Sequence, residues 1–177
     1  ISRALLSAYN QTYNNLEIIV VDDKSTDNTL IKLEEVLSNS PYPYKIIKHE
    51  ENLGVAASRN SILKYANGEF IFFFDDDDLS YPNRVESQIK TILDFEKKYN
   101  FKKPIKKSPL CYCYRKIIYT SENFLICNLI FLNTFKSSHI KGALALLSAG
   151  GFPINAKVGS TATCVLCCRK ETLKEIG

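Results

Sequence analysis

The chain has no apolar run near the roughly 18–20 residues that a membrane-crossing helix needs. Its longest candidates, Phe70 to Phe74 and the Gly- and Pro-interrupted region Ala143 to Ile154, fall well short. It shows no basic segment followed by an apolar core and a small-residue cleavage site, so no signal peptide is visible. Methionine is absent and the chain begins at Ile1, so the natural start is expected to precede it. No internal repeat, low-complexity tract or linker divides the sequence, and one domain is expected over residues 1–177. Acidic residues are missing between 97 and 116, where Lys97, Lys98, Lys102, Lys103, Lys106, Lys107, Arg115 and Lys116 cluster, so the net charge of +4 is largely local. Such a stretch could meet anionic lipid, an acidic acceptor or nucleic acid. The preferred reading is a solvated helix end and loop, with peripheral membrane contact as the minority alternative and no nucleic-acid partner.

What is present fits an ordinary globular domain: 45% hydrophobic and 24% charged residues over 177 positions can bury a sizeable core. Six cysteines in a chain long enough to fold without staples are read as reduced thiols in the cytoplasm. Cys111, Cys113, Cys164, Cys167 and Cys168 could be combined with His139 into a zinc site. Both cysteine clusters lie in apolar, strand-like sequence, where thiols pack as small hydrophobes, and zinc is not expected. His49 has no catalytic neighbour in the sequence and is given no role.

Ile18 to Val21 is an unbroken β-branched run ending in Asp22-Asp23, as in a strand buried on both faces. Ser25, Thr26 and Asp27 offer N-caps to a helix carrying Leu30, Leu33, Val36 and Leu37, which Pro41 and Pro43 end. Tyr44 to Lys48 reads as a second strand. A helix with Val55, Arg59, Ile62, Leu63 and Ala66 in register follows, closed by Asn67-Gly68 as a left-handed cap. Phe70 to Phe74 is a third strand, and Pro82 opens a helix that turns Val85, Ile89, Ile92 and Leu93 inward. Three β-α alternations over residues 18–98 imply an α/β fold, a mostly parallel, Rossmann-like sheet with helices on both faces. From about Lys102 the pattern is mixed, with strands expected at Leu110 to Tyr119 and Thr161 to Arg169 around the small-residue stretch Gly142 to Gly151.

The chemistry concentrates at strand ends. Asp75, Asp76, Asp77 and Asp78 follow the third strand where open parallel sheets place their ligands. Adjacent like charges repel and call for a cation. Mg²⁺ or Mn²⁺ held by Asp75 and Asp77, with water and diphosphate oxygens completing its shell, is preferred to a merely solvated acidic loop. Asp22 and Asp23 end another strand of the same inferred sheet. Asp23 is read as a ligand to the N–H of a uracil-like base or to a ribose hydroxyl, whereas Ser25 and Asp27 are read as turn and cap residues.

Taken in order, Gln11-Thr-Tyr-Asn-Asn-Leu-Glu-Ile-Ile-Val-Val-Asp-Asp-Lys-Ser-Thr-Asp-Asn-Thr, Asn52-Leu-Gly-Val-Ala-Ala-Ser-Arg-Asn60, Gly68-Glu-Phe-Ile-Phe-Phe-Phe-Asp-Asp-Asp-Asp and Pro82-Asn-Arg84 resemble family 2 glycosyltransferases of the GT-A fold. The likeness covers roughly residues 1–98, a nucleotide-sugar-binding half. A weaker one, from Gly159 to Gly177, falls in the acceptor-side half, residues 99–177. The resemblance implies that Asp23 contacts the donor base, Asp75 and Asp77 are the metal-binding Asp-x-Asp pair, Asp76 lies near the ribose, and Arg59 lies beside the nucleotide or diphosphate. For Arg59, an ion pair with the acidic run is an equal alternative. The implied reaction is inverting transfer from a nucleotide-diphospho-sugar, with a UDP-sugar favoured, to a saccharide, lipid-linked or protein acceptor, in the cytoplasm or at the inner membrane surface.

Two departures accompany the resemblance. The family's general base is expected beyond Gly177, and its first strand is expected before Ile1, so the chain alone should show a gap in its sheet or a rearranged strand order and be a poor catalyst. Three rival readings stand beside it. One is a non-catalytic nucleotide-sugar-binding module. The second is a receiver-like domain using Lys103-Pro104. The third is a phosphotransfer domain with Asp75 as nucleophile.

Overall fold

The computed structural model describes residues 1–101, 110–112, 114–119, 124–129 and 166–176. Thr161 to Val165, the small-residue stretch, Lys103 and His139 lie outside them, as do the side chains of Cys113 and Cys164.

Helix α1 (Ser2–Tyr9) leads into strand β1 (Ile18–Asp22), helix α2 (Thr29–Leu37) and strand β2 (Tyr44–Lys48). Strands β1 and β2 pair in parallel, Ile18 opposite Tyr44 through Asp22 opposite Lys48. Alternation along β1 sends Ile18 and Val20 to one face, with Leu5 of α1 and Leu33 and Leu37 of α2. Ile19 points to the other face, against Ile62 and Leu63 of helix α3 (Gly54–Tyr65). Helices therefore cover both faces of this layer.

Strand β3 (Phe70–Phe72) repeats the pattern. Phe70 and Phe72 face Ile92 of helix α4 (Arg84–Lys98), while Ile71 and Phe73 face α3 and Leu173 of helix α5 (Lys170–Ile176). Its hydrogen-bonded partner is antiparallel β8 (Leu166–Arg169), which also pairs with β5 (Cys111–Tyr112). Two-residue β4 (Leu79–Ser80) runs parallel to β7 (Phe124–Leu129), and β7 pairs antiparallel with β6 (Tyr114–Tyr119).

The α/β class holds, but a single mostly parallel sheet is not what the described residues form. They fall into three small sheets in which β1–β2 and β4–β7 are parallel and the other pairs antiparallel. The reason is visible between β1 and β3, whose facing edges do not bond to one another. A cleft of about 1030 Å³ separates them, lined by Ile18 to Asp22, Phe70 to Phe74, Leu5 and Ile62. It leaves β1 only partly buried along Ile18 to Val21.

Local corrections have equally specific causes. Chain departure from α3 does not use a left-handed glycine: Ala66 is extended, with φ −65° and ψ 138°. The Glu17 carboxylate instead accepts the Asn67 and Gly68 amides at 2.6 and 2.5 Å. Leu93 is 45% exposed, whereas Val85, Ile89 and Ile92 are buried as expected. In α4 the buried stripe is completed by Gln88 and Glu96, which polar partners hold inside. Helix α2 begins at Thr29 with Asn28 at the cap position, and the Asp27 carboxylate takes the Thr29 amide at 2.9 Å.

Candidate functional site

Asp23 leaves the end of β1 just before a sharp turn, where Lys24 adopts φ 62°. A left-handed non-glycine residue is costly and marks a position fixed by its surroundings. Those surroundings are the N-terminus of α3, whose first amides lack partners within the helix. Asp23 Oδ1 accepts the Leu53 N–H at 2.9 Å and Oδ2 accepts the Gly54 N–H at 2.7 Å. Gly54 itself sits at φ +82°, a conformation that favours glycine over any side chain.

His49, one residue past β2, completes the cluster. Its Nδ1 lies 2.7 Å from Asp23 Oδ1 and its Nε2 lies 2.9 Å from Ser61 Oγ on α3. The His49 hydrogen bond, followed by the Leu53 amide, holds the Asp23 carboxyl below the usual carboxylate range. The sequence alone assigns His49 no role; the structure places it between Asp23 and Ser61. The signal is invisible in one dimension because Asp23, His49 and Ser61 converge from two strand ends and the middle of a helix.

Across the cleft, the backbone turns back at Asp75 to Asp78, with the Asp78 amide bonded to the Asp75 carbonyl at 3.3 Å. Asp76 and Asp77 are exposed, Asp75 is half-buried and Asp78 is buried. Arg84, fully buried at the start of α4, braces this turn from beneath. Its guanidinium donates to the Phe73 carbonyl at 3.1 Å, Ser80 Oγ at 2.9 Å and Gln88 Oε1 at 3.1 Å, and lies 4.5 Å from the Phe74 ring centroid. Gln11 ties the same helix to α1, accepting the Val85 amide and donating to the Ser7 and Tyr81 carbonyls.

Asp23, Arg59, Asp75 and Asp76 all line the cleft, so four of the five expected site residues converge there. Asp77 stands on the exposed turn beside it. Arg59 Nη2 lies 3.4 Å from Asp75 Oδ1, the ion-pair alternative, while still bordering the cleft. Both partners are partly exposed, which keeps the pair weak and exchangeable.

Among the described residues no group of three His, Cys, Asp or Glu side chains could cage a metal ion. Two carboxylates on one turn, Asp75 and Asp77, instead suit a hard divalent ion that keeps waters and takes its remaining oxygens from a substrate diphosphate. The donor set is thus compatible with magnesium or manganese. Cys111, Cys167 and Cys168 are buried thiols, and burial pushes the Cys168 thiol up from its ordinary value. No described helix is long and apolar enough to cross a membrane.

Comparison with known proteins gives this arrangement a context. Over 93 residues the chain is 44% identical to the Escherichia coli UDP-Glc:alpha-D-GlcNAc-diphosphoundecaprenol beta-1,3-glucosyltransferase WfgD, covering 52% of this chain and 36% of that protein. It is 37% identical over 89 residues to the putative glycosyltransferase EpsE of Bacillus subtilis, covering 50% of this chain and 32% of EpsE. Among solved structures, S. aureus TarS 1–349 in complex with UDP matches with 33% identity and a TM-score of 0.49, over 55% of this chain and 29% of TarS. The matches span about a third of the length of these relatives. The family described as glycosyl transferase family 2 matches residues 1–126, well over half of the sequence, and the chain belongs to that family.

Proposed function

We propose that the protein transfers a sugar from a nucleotide-diphospho-sugar to an acceptor hydroxyl, with the donor bound in the cleft between Asp23 and the Asp75–Asp77 turn. The observation that carries this reading is the convergence of Asp23, Arg59, Asp75 and Asp76 on one cleft from the C-terminal ends of β1 and β3 and from α3. Asp23 presents a carboxylate to the base, Asp76 lies within reach of the ribose region, and Arg59 and the acidic turn border the place of the diphosphate. Asp75 and Asp77 would hold Mg²⁺ or Mn²⁺, which supplies charge neutralisation for the departing nucleoside diphosphate. Arg59, released from Asp75, would turn its guanidinium to a phosphate oxygen, a geometry for which arginine is well suited.

A UDP-sugar is the favoured donor. The acidic Asp23 complements the imide N–H of uracil, and the similar WfgD is named for a UDP-Glc donor. Transfer is read as inverting, with the acceptor hydroxyl deprotonated by a carboxylate. WfgD acts on a diphosphoundecaprenol-linked sugar, which supports a lipid-linked or polysaccharide acceptor at the cytoplasmic membrane surface for this protein too.

The test is donor turnover by the full-length protein with a panel of UDP-, GDP- and dTDP-sugars in Mn²⁺, read as release of nucleoside diphosphate. One nucleotide class should be turned over, and Asp77→Ala should abolish release. Binding without turnover by the full-length protein would leave a nucleotide-sugar-binding module instead of an enzyme.

A further inference from the structure

We propose that His49 and Ser61 are positioning residues, a relay that fixes the Asp23 carboxylate as the group that reads the donor base and thereby sets the preference for a base with an imide N–H. The inference rests on the donor-site reading above and adds to it a cause for base selectivity.

The argument begins with acceptor capacity. A carboxylate oxygen offers two lone-pair sites and an ionised carboxylate donates nothing. Asp23 Oδ1 already has two partners, His49 Nδ1 and the Leu53 amide, whereas Oδ2 has one, the Gly54 amide. Three fixed donors on two oxygens lock the carboxylate plane. They leave one acceptor site, on Oδ2, for a ligand.

Because Asp23 can only accept, Nδ1 of His49 must carry the proton. In the neutral ring Nε2 is then the acceptor, and the Ser61 hydroxyl, 2.9 Å away, donates to it. Asp23 thereby selects the tautomer, and the Ser61 hydroxyl, which can rotate to donate, satisfies the remaining ring nitrogen and holds the ring in place. The His49 side chain is only 9% exposed and that of Asp23 22%, so the pair is shielded while the carboxylate still meets the cleft.

An Asp–His–Ser chain also invites a reading in which Ser61 is a nucleophile. Ser61 sits in the interior of α3, where backbone amides are consumed by the helix, so no pair of free amides is at hand for an oxyanion. The relay therefore runs toward Asp23. A simple brace between β1, β2 and α3 would use the same hydrogen bonds, but it would affect every ligand alike.

That difference decides the experiment. Isothermal titration calorimetry of the full-length protein in Mn²⁺ would compare UDP, UDP methylated at N3, and pyrophosphate, for the wild type, His49→Phe, Ser61→Ala and His49→Asn. Loss of a hydrogen bond that orients a charged acceptor predicts about tenfold weaker UDP binding by His49→Phe and about threefold by Ser61→Ala. N3-methyl-UDP and pyrophosphate should change less than about twofold, and His49→Asn, which keeps a donor near the Nδ1 position, should recover most of the UDP affinity. Equal weakening of all three ligands, or unchanged UDP binding, would overturn the relay and leave the donor site standing. Failure of the wild type to bind UDP more tightly than pyrophosphate would overturn the donor reading and the relay together. If His49→Phe does not fold, Ser61→Ala decides by the same comparison.

Discussion

Arg169 lies 73 residues from Glu96 in sequence, yet the two form an enclosed ion pair, with side chains 7% and 8% exposed. Arg169 Nε and Nη2 approach the two Glu96 oxygens at 2.5 and 2.6 Å, and a further nitrogen meets Glu69 just before β3. The guanidinium also stacks 4.6 Å from the Phe70 ring centroid. One residue thus fastens β8 to α4 and to the start of β3, the strand that leads to Asp75. Removing one member of a buried pair takes from the other charge its opposite partner, at a cost of about 3–5 kcal/mol. Arg169→Leu should fall in that range. Glu96→Leu should cost less, nearer the lower figure, because Arg169 keeps Glu69, which is 61% exposed. Replacing both with leucine removes the carboxylate that lost Arg169 and should recover at least about 2 kcal/mol relative to Arg169→Leu. Urea unfolding of the four proteins measures the cycle. Additive losses within about 0.5 kcal/mol, or an Arg169→Leu variant less than about 1 kcal/mol below wild type, would refute the reasoning.

Other consequences are direct. Glu17→Ala removes the acceptor of the Asn67 and Gly68 amides and should cost about 1–2 kcal/mol in urea unfolding, although the residue lies 50 positions away in sequence. The folded Asp23 carboxyl titrates below its unfolded value, so its contribution to stability is present above that unfolded value, near 3.9, and is lost as pH falls through the lower folded one. Thermal melts of Asp23→Asn below pH 4 should accordingly show a flatter acid profile than wild type. Cys111, Cys167 and Cys168 should resist iodoacetamide at pH 8 in the native protein and react only in denaturant, as read by peptide mass mapping.

The sequence was most readable where one element buries its own residues. The β-branched run of β1 and the leucines of α2 each declare their state locally, and the acidic residues at strand ends point to a candidate ligand edge by elementary electrostatics. What stayed hidden depends on partners distant along the chain. Nothing in Phe70 to Phe72 specifies antiparallel β8 as its neighbour, because an apolar strand pairs with whichever edge the fold brings to it. The end of α3 looked like a glycine cap, yet Glu17 supplies the acceptor. Leu93 fits the helical period but falls outside the stripe that Gln88 and Glu96 occupy. His49 carries no motif and acquires its place only when β1, β2 and α3 meet.

The central claim, a nucleoside diphosphate held between Asp23 and the Asp75–Asp77 turn with a divalent ion, is tested most directly by calorimetric titration of the full-length protein with UDP, GDP and dTDP, each with and without Mn²⁺. The account predicts manganese-dependent binding of one nucleotide, UDP, that is lost in Asp77→Ala. Binding that ignores manganese and survives Asp77→Ala, or no binding of any of the three, would contradict it.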